Sequence, residues 1–209
     1  MDEVGPLTSK TFPAFPPTAA TQTEQQAITE GRRKILRSQA TALVLGGVLL
    51  GSGVFAGDRW PLGLLLGLLY GNAFEYVTHR ILLHGTTGYL HQGHERHHES
   101  WGRWDEALYV RFGPPVAVVL LLVGNSLPLV FLDRLGAGIG GGALVAFVLY
   151  YVLYEEIHWR IHVGYLPAWL AGLRRHHFAH HKGEPGRYNV LAPLFDRLLE
   201  GGQILKPKS

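Results

Sequence analysis

The chain alternates polar stretches with long runs that carry no charge. Ser38 to Gly57 holds no Asp, Glu, Lys or Arg over 20 residues, Phe112 to Leu132 none over 21, and Leu135 to Tyr154 none over 20. A helix needs about 20 residues to cross a hydrocarbon core of about 30 Å, so each run predicts a membrane-spanning helix. A fourth run is less regular: WPLGLLLGLLYGNAF, from Trp60 to Phe74, is uncharged, and apolar character continues to Leu83 past Glu75, His79 and Arg80. Ionisable groups are costly in lipid, so these three should face a protein interior or the interface, which flags that end of the helix as functional. The predicted spans are 38–57, 60–83, 112–132 and 135–157. Their frequent glycines, as in GAGIGGGALVAF, suit close helix packing in lipid better than a stable soluble helix. The expected fold class is all-α: an integral membrane protein of four transmembrane helices with a cytosolic helical cap. A soluble protein with four fully buried helices is the alternative.

Charge settles the expected orientation. Of 19 Lys and Arg, only Arg59 and Arg134 fall in the two short connections on the far side, so the side shared by both termini is expected to be cytosolic. Residues 1–37 read as a mobile polar tail with a basic end, RRK at 32–34, and residues 202–209 as a second tail; the membrane domain is 38–201. The first apolar run begins too far along to be a secretory signal. Charged residues make up 17% of the chain, against about 25% in ordinary soluble domains. The formal net charge of +3 is too small to argue for nucleic acid. The absence of cysteine excludes disulfides, thiolate ligands, iron–sulfur clusters and cysteine nucleophiles.

The chain has twelve histidines, and with this topology all of them fall on one side of the membrane. His158 and His162, four apart in HWRIH, share one face of a helix and can chelate one ion. HERHH places His97 and His98 three and four residues after His94, and HFAHH repeats the pattern with His177, His180 and His181. His79 and His84 are five apart, about 140° around an ideal helix: either they bind different ions or the helix ends between them. Without metal, so many neighbouring imidazoles would repel one another as cations or be buried unpaired. Imidazole suits iron, copper, zinc and nickel, whereas Mg²⁺ or Ca²⁺ would want oxygens that are sparse here. Ten donors exceed one ion's demand; two ions with about five each would keep an open position for water or dioxygen. Glu75, Glu95, Asp105, Glu155 and Asn189 are candidates to orient the imidazole rings.

HERHH also matches HExxH, the zinc-protease helix in which Glu95 would be general base, but that reading leaves the other boxes without a purpose. ExxH occurs at Glu95 with His98 and at Glu155 with His158, as in soluble di-iron bundles, which would not use the remaining histidines. A metal carrier would be expected to hold its ligands near the middle of a span rather than at the cytosolic ends. Tyr70, Tyr150, Tyr151 and Trp159 could line a substrate path, although aromatics near an interface are commonly anchors.

The ordered boxes HRILLH, HERHH, HWRIH and HHFAHH, followed by RYNVLAPLFDRLLEG, resemble the integral-membrane fatty acid hydroxylase superfamily, which includes sterol desaturases, over roughly residues 60–201. The closing segment is most similar to the fatty acid 2-hydroxylase branch. The resemblance implies that His79, His84, His94, His97, His98, His158, His162, His177, His180 and His181 bind two metal ions, functionally iron, while His91 and His176 fall outside the shared pattern. It implies dioxygen as co-substrate and hydroxylation of an unactivated C–H bond in a membrane lipid, a fatty acyl chain before a sterol; desaturation is the related outcome. It also implies a separate electron-donor protein of ferredoxin or cytochrome b5 type, and no nucleic acid. Zinc binds such ligands readily and could replace iron on purification. Carotenoid hydroxylases carry similar boxes, but their third box usually has four residues between histidines, where HWRIH has three.

Overall fold

The computed structural model describes residues 19–55 and 57–204; the first 18 residues of the expected tail, Ala56 near the end of the first predicted span, and residues 205–209 lie outside them. Seven α-helices follow in order: α1 (Ala19–Gly51), α2 (Trp60–Val77), α3 (Tyr89–Ser100), α4 (Pro115–Arg134), α5 (Gly140–His162), α6 (Ala171–His181) and α7 (Leu194–Ile204). A π-helical segment, Thr78–Leu83, continues α2, and 3-10 turns lie at Glu106–Leu108 and Ala168–Leu170. No strand occurs among the described residues, so the chain is all-α. Proline at the start of α2 and α4 suits a first turn whose N–H groups have no helical partner. At the other end of α4, Asp133 accepts the backbone N–H of Gly140 at 2.8 Å, closing the turn into α5.

Helix α5 is the centre of the bundle. Leu144, Ala146, Phe147, Val148 and Tyr151 are buried against α1, α2 and α4. The contact with α2 is set by small residues at four-residue spacing. A Cβ on Gly63 would lie 2.2 Å from the Ile139 carbonyl oxygen, one on Gly67 2.6 Å from that of Ala143, and one on Gly71 2.8 Å from the Tyr150 ring. Position along α2 rises with position along α5, so the two helices run parallel and end together. The histidines that follow them therefore arrive at the same end of the bundle.

The first helix departs from the sequence reading. Residues 19–37, expected within a mobile tail, form the first half of α1. Ile35 and Ser38 are fully buried, the Ser38 hydroxyl meets Glu155 at 3.0 Å, and Arg32 pairs with Glu156 at 2.6 Å. The polar residues that suggested a tail instead dock on the polar end of α5. Gly31 lets the helix lie against the Glu106–Leu108 turn, where a Cβ would meet the Ala107 carbonyl oxygen at 2.1 Å.

Two helices, Pro115–Arg134 and Gly140–His162, are long and apolar enough to cross a membrane. Among the described residues α1 and α2 do not meet that measure: half of α1 is polar, and Asn72 and Glu75 interrupt α2. Both nevertheless present apolar side chains outward, Leu43, Val44 and Val48 from α1 and Leu62, Leu65 and Leu69 from α2.

Candidate metal centre

The α2 and α5 ends, with α3 and α6 laid across them, bring all ten boxed histidines together in two neighbouring groups. His79, His84, His94, His98 and His180 form the first, with donor atoms all within 4.8 Å of one another; His97, His158, His162 and His177 form the second. His181 completes the second group, its Nε2 lying 3.1 Å from those of His97 and His177.

Each helix divides its donors in a way that spacing alone does not reveal. In α3, His94 and His98 turn to the first group and His97, between them, to the second. In α6 the assignment is reversed: His180 serves the first group, His177 and His181 the second. The remaining pairs are His158 and His162, four apart on α5, and His79 and His84, five apart after α2. The π-helical segment resolves the second spacing. Its i to i+5 turn brings residues five apart into nearly the relation that residues four apart have in an α-helix, so both serve one group.

The fit to a metal follows from the donors. In the first group the Nε2 atoms of His94 and His180 each lie 2.9–3.1 Å from those of His79, His84 and His98. In the second, His177 Nε2 lies 2.8–3.1 Å from His158, His162 and His181. A neutral imidazole Nε2 carries either one proton or one lone pair, so it cannot satisfy three like atoms by hydrogen bonding. A central cation satisfies them all: two nitrogens at right angles, each about 2.0–2.1 Å from an ion, are roughly 3.0 Å apart.

The far nitrogens fix several rings. His79 Nδ1 donates to the Tyr188 carbonyl at 2.5 Å, and His162 Nδ1 meets Glu106 Oε1 at 2.5 Å. Such partners set the tautomer and raise donor strength. Neither partner was among the sequence candidates, although Glu106 is next to Asp105. Asp105 itself pairs with Arg103, and Glu95 turns outward to His91 at 3.3 Å, away from the position a protease general base would need. Glu155 binds Ser38, Tyr151 and the Phe112 N–H and touches no imidazole. Glu75 and Asn189 act at one remove: Glu75 accepts the Val190 N–H at 2.5 Å and the Asn189 amide at 3.2 Å, holding the segment that presents the Tyr188 carbonyl. Buried Asp196 supports the same segment through the N–H groups of Tyr188 and Asn189 at 2.8 and 2.9 Å.

His91 and His176 stand outside both groups. His91 donates to the Leu83 carbonyl at 2.7 Å, and His176 meets Asp196 at 2.8 Å. An apolar passage lies between α2, α4 and α5, lined by Gly71, Phe74, Phe112, Leu121, Phe147, Tyr150, Tyr151 and Tyr154, and reaches Thr78 and His79. Tyr150 and Tyr151 therefore do border a path to the histidines. Tyr70 instead packs on Phe74 and Phe147 at the bundle surface, and Trp159 is buried under α1 with Ile35 and Val110.

Burial, then the neighbouring imidazoles, hold His94, His97 and His177 well below the ordinary histidine range, and the same causes put His98 at about 4. The donors are thus neutral at physiological pH, as metal binding requires. Imidazoles in the unfolded chain protonate near about pH 6.5. Below that pH the unfolded chain binds more protons than the folded one, so stability is full above it and falls as pH drops. Chelator-treated protein is expected to lose thermal stability between pH 7 and pH 5, and loaded protein to release metal over the same interval, as followed by melting temperature and elemental analysis of the dialysate.

An all-helical chain whose histidines converge on two sets of five imidazole donors, beside an apolar passage, defines a class of histidine-box proteins suited to paired metal ions. The profile of the fatty acid hydroxylase family matches residues 64–201, and the chain belongs to that family. It is similar to fatty acid 2-hydroxylase of Mus musculus, with 29% identity over 143 residues that cover 63% of this chain and 37% of that protein. The chain thus spans little more than a third of that relative's length. No solved structure matches it.

Proposed function

We propose that this protein is a membrane di-iron monooxygenase that hydroxylates an unactivated C–H bond in the acyl chain of a lipid, using O₂. The observation that carries this reading is the junction of the apolar passage with His79, one of the first group's donors: a hydrocarbon chain entering between the helices is led to the metal-binding face. His79, His84, His94, His98 and His180 would hold one iron, and His97, His158, His162, His177 and His181 the other. When bound, the pair supplies the electron transfer that activates dioxygen, in the balance RH + O₂ + 2e⁻ + 2H⁺ → ROH + H₂O. The chain's own part is positioning and exclusion. Phe74, Leu121 and Phe147 give a chain an apolar wall, and Phe112 and Tyr154 narrow the approach next to the histidines. This wall keeps bulk water from the reacting carbon.

The outward apolar belt supports the membrane setting: Leu120, Leu127 and Phe131 of α4 and Leu149 and Leu153 of α5 add to the residues of α1 and α2. Exposed apolar area of this extent marks a lipid or protein contact. In our reading α1, α2, α4 and α5 all cross, with the metal centre and both termini cytosolic. Electrons then come from a separate cytosolic-side donor of ferredoxin or cytochrome b5 type. Lipid mass spectrometry of cells with and without the active protein, under ¹⁸O₂, is expected to show one labelled oxygen gained on an acyl chain. Label on a carotenoid ring or sterol would move the substrate to that branch, and an unlabelled product with two fewer hydrogens would make the enzyme a desaturase.

A further inference from the structure

Past the metal centre the chain runs back along α2. The Tyr188 carbonyl meets His79, the Val190 N–H donates to Glu75 at 2.5 Å, and the Ala192 carbonyl accepts the Asn72 amide at 2.8 Å, so this non-helical segment travels from His79 to Asn72, about 10 Å down the helix. Helix α7 then returns: Phe195 packs on Tyr76, and Glu200 accepts the Tyr76 hydroxyl at 2.6 Å and pairs with Arg80. Residues 72–80 lie within the predicted span of α2, and the exposed Leu69 and Val77 mark its lipid-facing side at this level. Helix α7 is turned opposite to a helix in water. Asp196 and Glu200 are buried, at 0% and 4% exposure, whereas Leu198 and Leu199 are 66% and 61% exposed and Leu194 41%. Leu194, Phe195, Leu198 and Leu199 fall within about 140° of arc, with the two carboxylates on the other side. The descending backbone is also provided for: Asp196 accepts the N–H groups of Tyr188 and Asn189, Glu75 accepts that of Val190, and Asn72 donates to the Ala192 carbonyl. Non-helical backbone at membrane depth is tolerated where protein encloses it in this way.

We infer that residues 188–200 form a re-entrant element seated in the cytosolic leaflet, with Leu194, Leu198 and Leu199 against lipid acyl chains. The inference rests on the membrane setting of the proposed function and adds a fifth lipid contact to the four crossing helices. It gives Asn72 and Glu75, which interrupt α2, a common purpose: they satisfy the backbone of the re-entrant segment. Arg80 and Arg197 are both exposed and lie at the polar margin of α7, where a long cationic side chain reaches the head groups. The α7 leucines adjoin the outward apolar side of α2, and this continuity selects lipid as their neighbour.

The chain has no cysteine, so one introduced cysteine reports a single position. Leu198→Cys, Leu120→Cys on the outer face of α4 and Arg103→Cys in the cytosolic cap are each labelled with the fluorophore NBD in the metal-loaded full chain and placed in phosphatidylcholine nanodiscs. Iodide then quenches from the water and nitroxide-labelled phosphatidylcholine from the bilayer. Iodide is expected to quench the label at Leu198 about 10-fold less than the label at Arg103, because an ion stays out of hydrocarbon. The labelled lipid should quench Leu198 as strongly as Leu120. Leu199→Cys, on the same outward face, repeats the measurement if Leu198→Cys does not retain its metal. Iodide reaching Leu198 as readily as Arg103, with Leu120 still shielded, overturns the inference and leaves the proposed function standing. Neither quencher reaching Leu198 also overturns it, because protein, a second copy of the chain included, then covers the face. Iodide reaching Leu120 as well would overturn the membrane setting on which both readings rest.

Discussion

His177→Ala is expected to lower bound metal from two ions per chain to about one and to reduce turnover to background. His177 is fully enclosed, and its Nε2 faces His158, His162 and His181 within 3.1 Å, so it contributes to more of the second group's contacts than any other donor there. Loss of an outer partner of a metal ligand already costs about 10- to 100-fold in affinity or activity; loss of the donor itself should exceed that. The substitution shortens a side chain at a helix position and leaves the bundle contacts of α2 and α5 untouched, so membrane insertion should be normal. His91→Ala is the matched control: it removes an imidazole from the same helix as His94 but outside both groups, and should keep both ions and most of the turnover. Elemental analysis beside product formation separates the two cases. Full metal content and normal turnover in His177→Ala would contradict the division of donors described above.

Gly67→Val is expected to be as damaging by a different route. Any Cβ at that position meets the Ala143 carbonyl oxygen at 2.6 Å and the Ala146 Cβ at 2.7 Å, and the neighbours are backbone and a methyl group that cannot swing away. Overpacking that forces backbone shifts costs about 1–3 kcal/mol, occasionally more. Because α2 and α5 run parallel and carry His79 with His84 and His158 with His162 at their ends, forcing them apart separates the two groups. Both metal content and turnover should fall together with thermal stability, whereas in His177→Ala stability should change far less than activity. Gly47→Ala, where nothing lies within 4 Å of the added carbon, should leave all three unchanged.

The contrast between these substitutions reflects what could be read before the fold was known. The candidate donors were legible because imidazole is chemically distinctive and its spacing on a helix is fixed by rotation per residue: HWRIH and the two HxxHH boxes announce shared faces directly. The division of each HxxHH between two groups was not legible, since it depends on how α3 and α6 cross the helix ends. Nor was the five-residue spacing of His79 and His84, because the π-helical turn leaves no compositional mark in THRILL. The partners of the rings were the least accessible. A carboxylate can be placed near an imidazole by sequence only within a turn or two of helix, yet His162 is met by Glu106 and His79 by a backbone carbonyl at Tyr188, each from a distant segment. The polar first half of α1 was misread for a related reason: its low apolar content suits a tail, and only α5 supplies the buried Glu155 and the Glu156 that its Ser38 and Arg32 engage.

The most direct measurement is the iron content of folded protein made under iron-replete conditions, taken together with X-ray absorption at the iron edge. Two ions per chain in an environment dominated by nitrogen from imidazole is the expected result. Folded protein that binds no transition metal on reconstitution, or a single ion with mostly oxygen neighbours, would contradict the two five-imidazole groups and the function built on them.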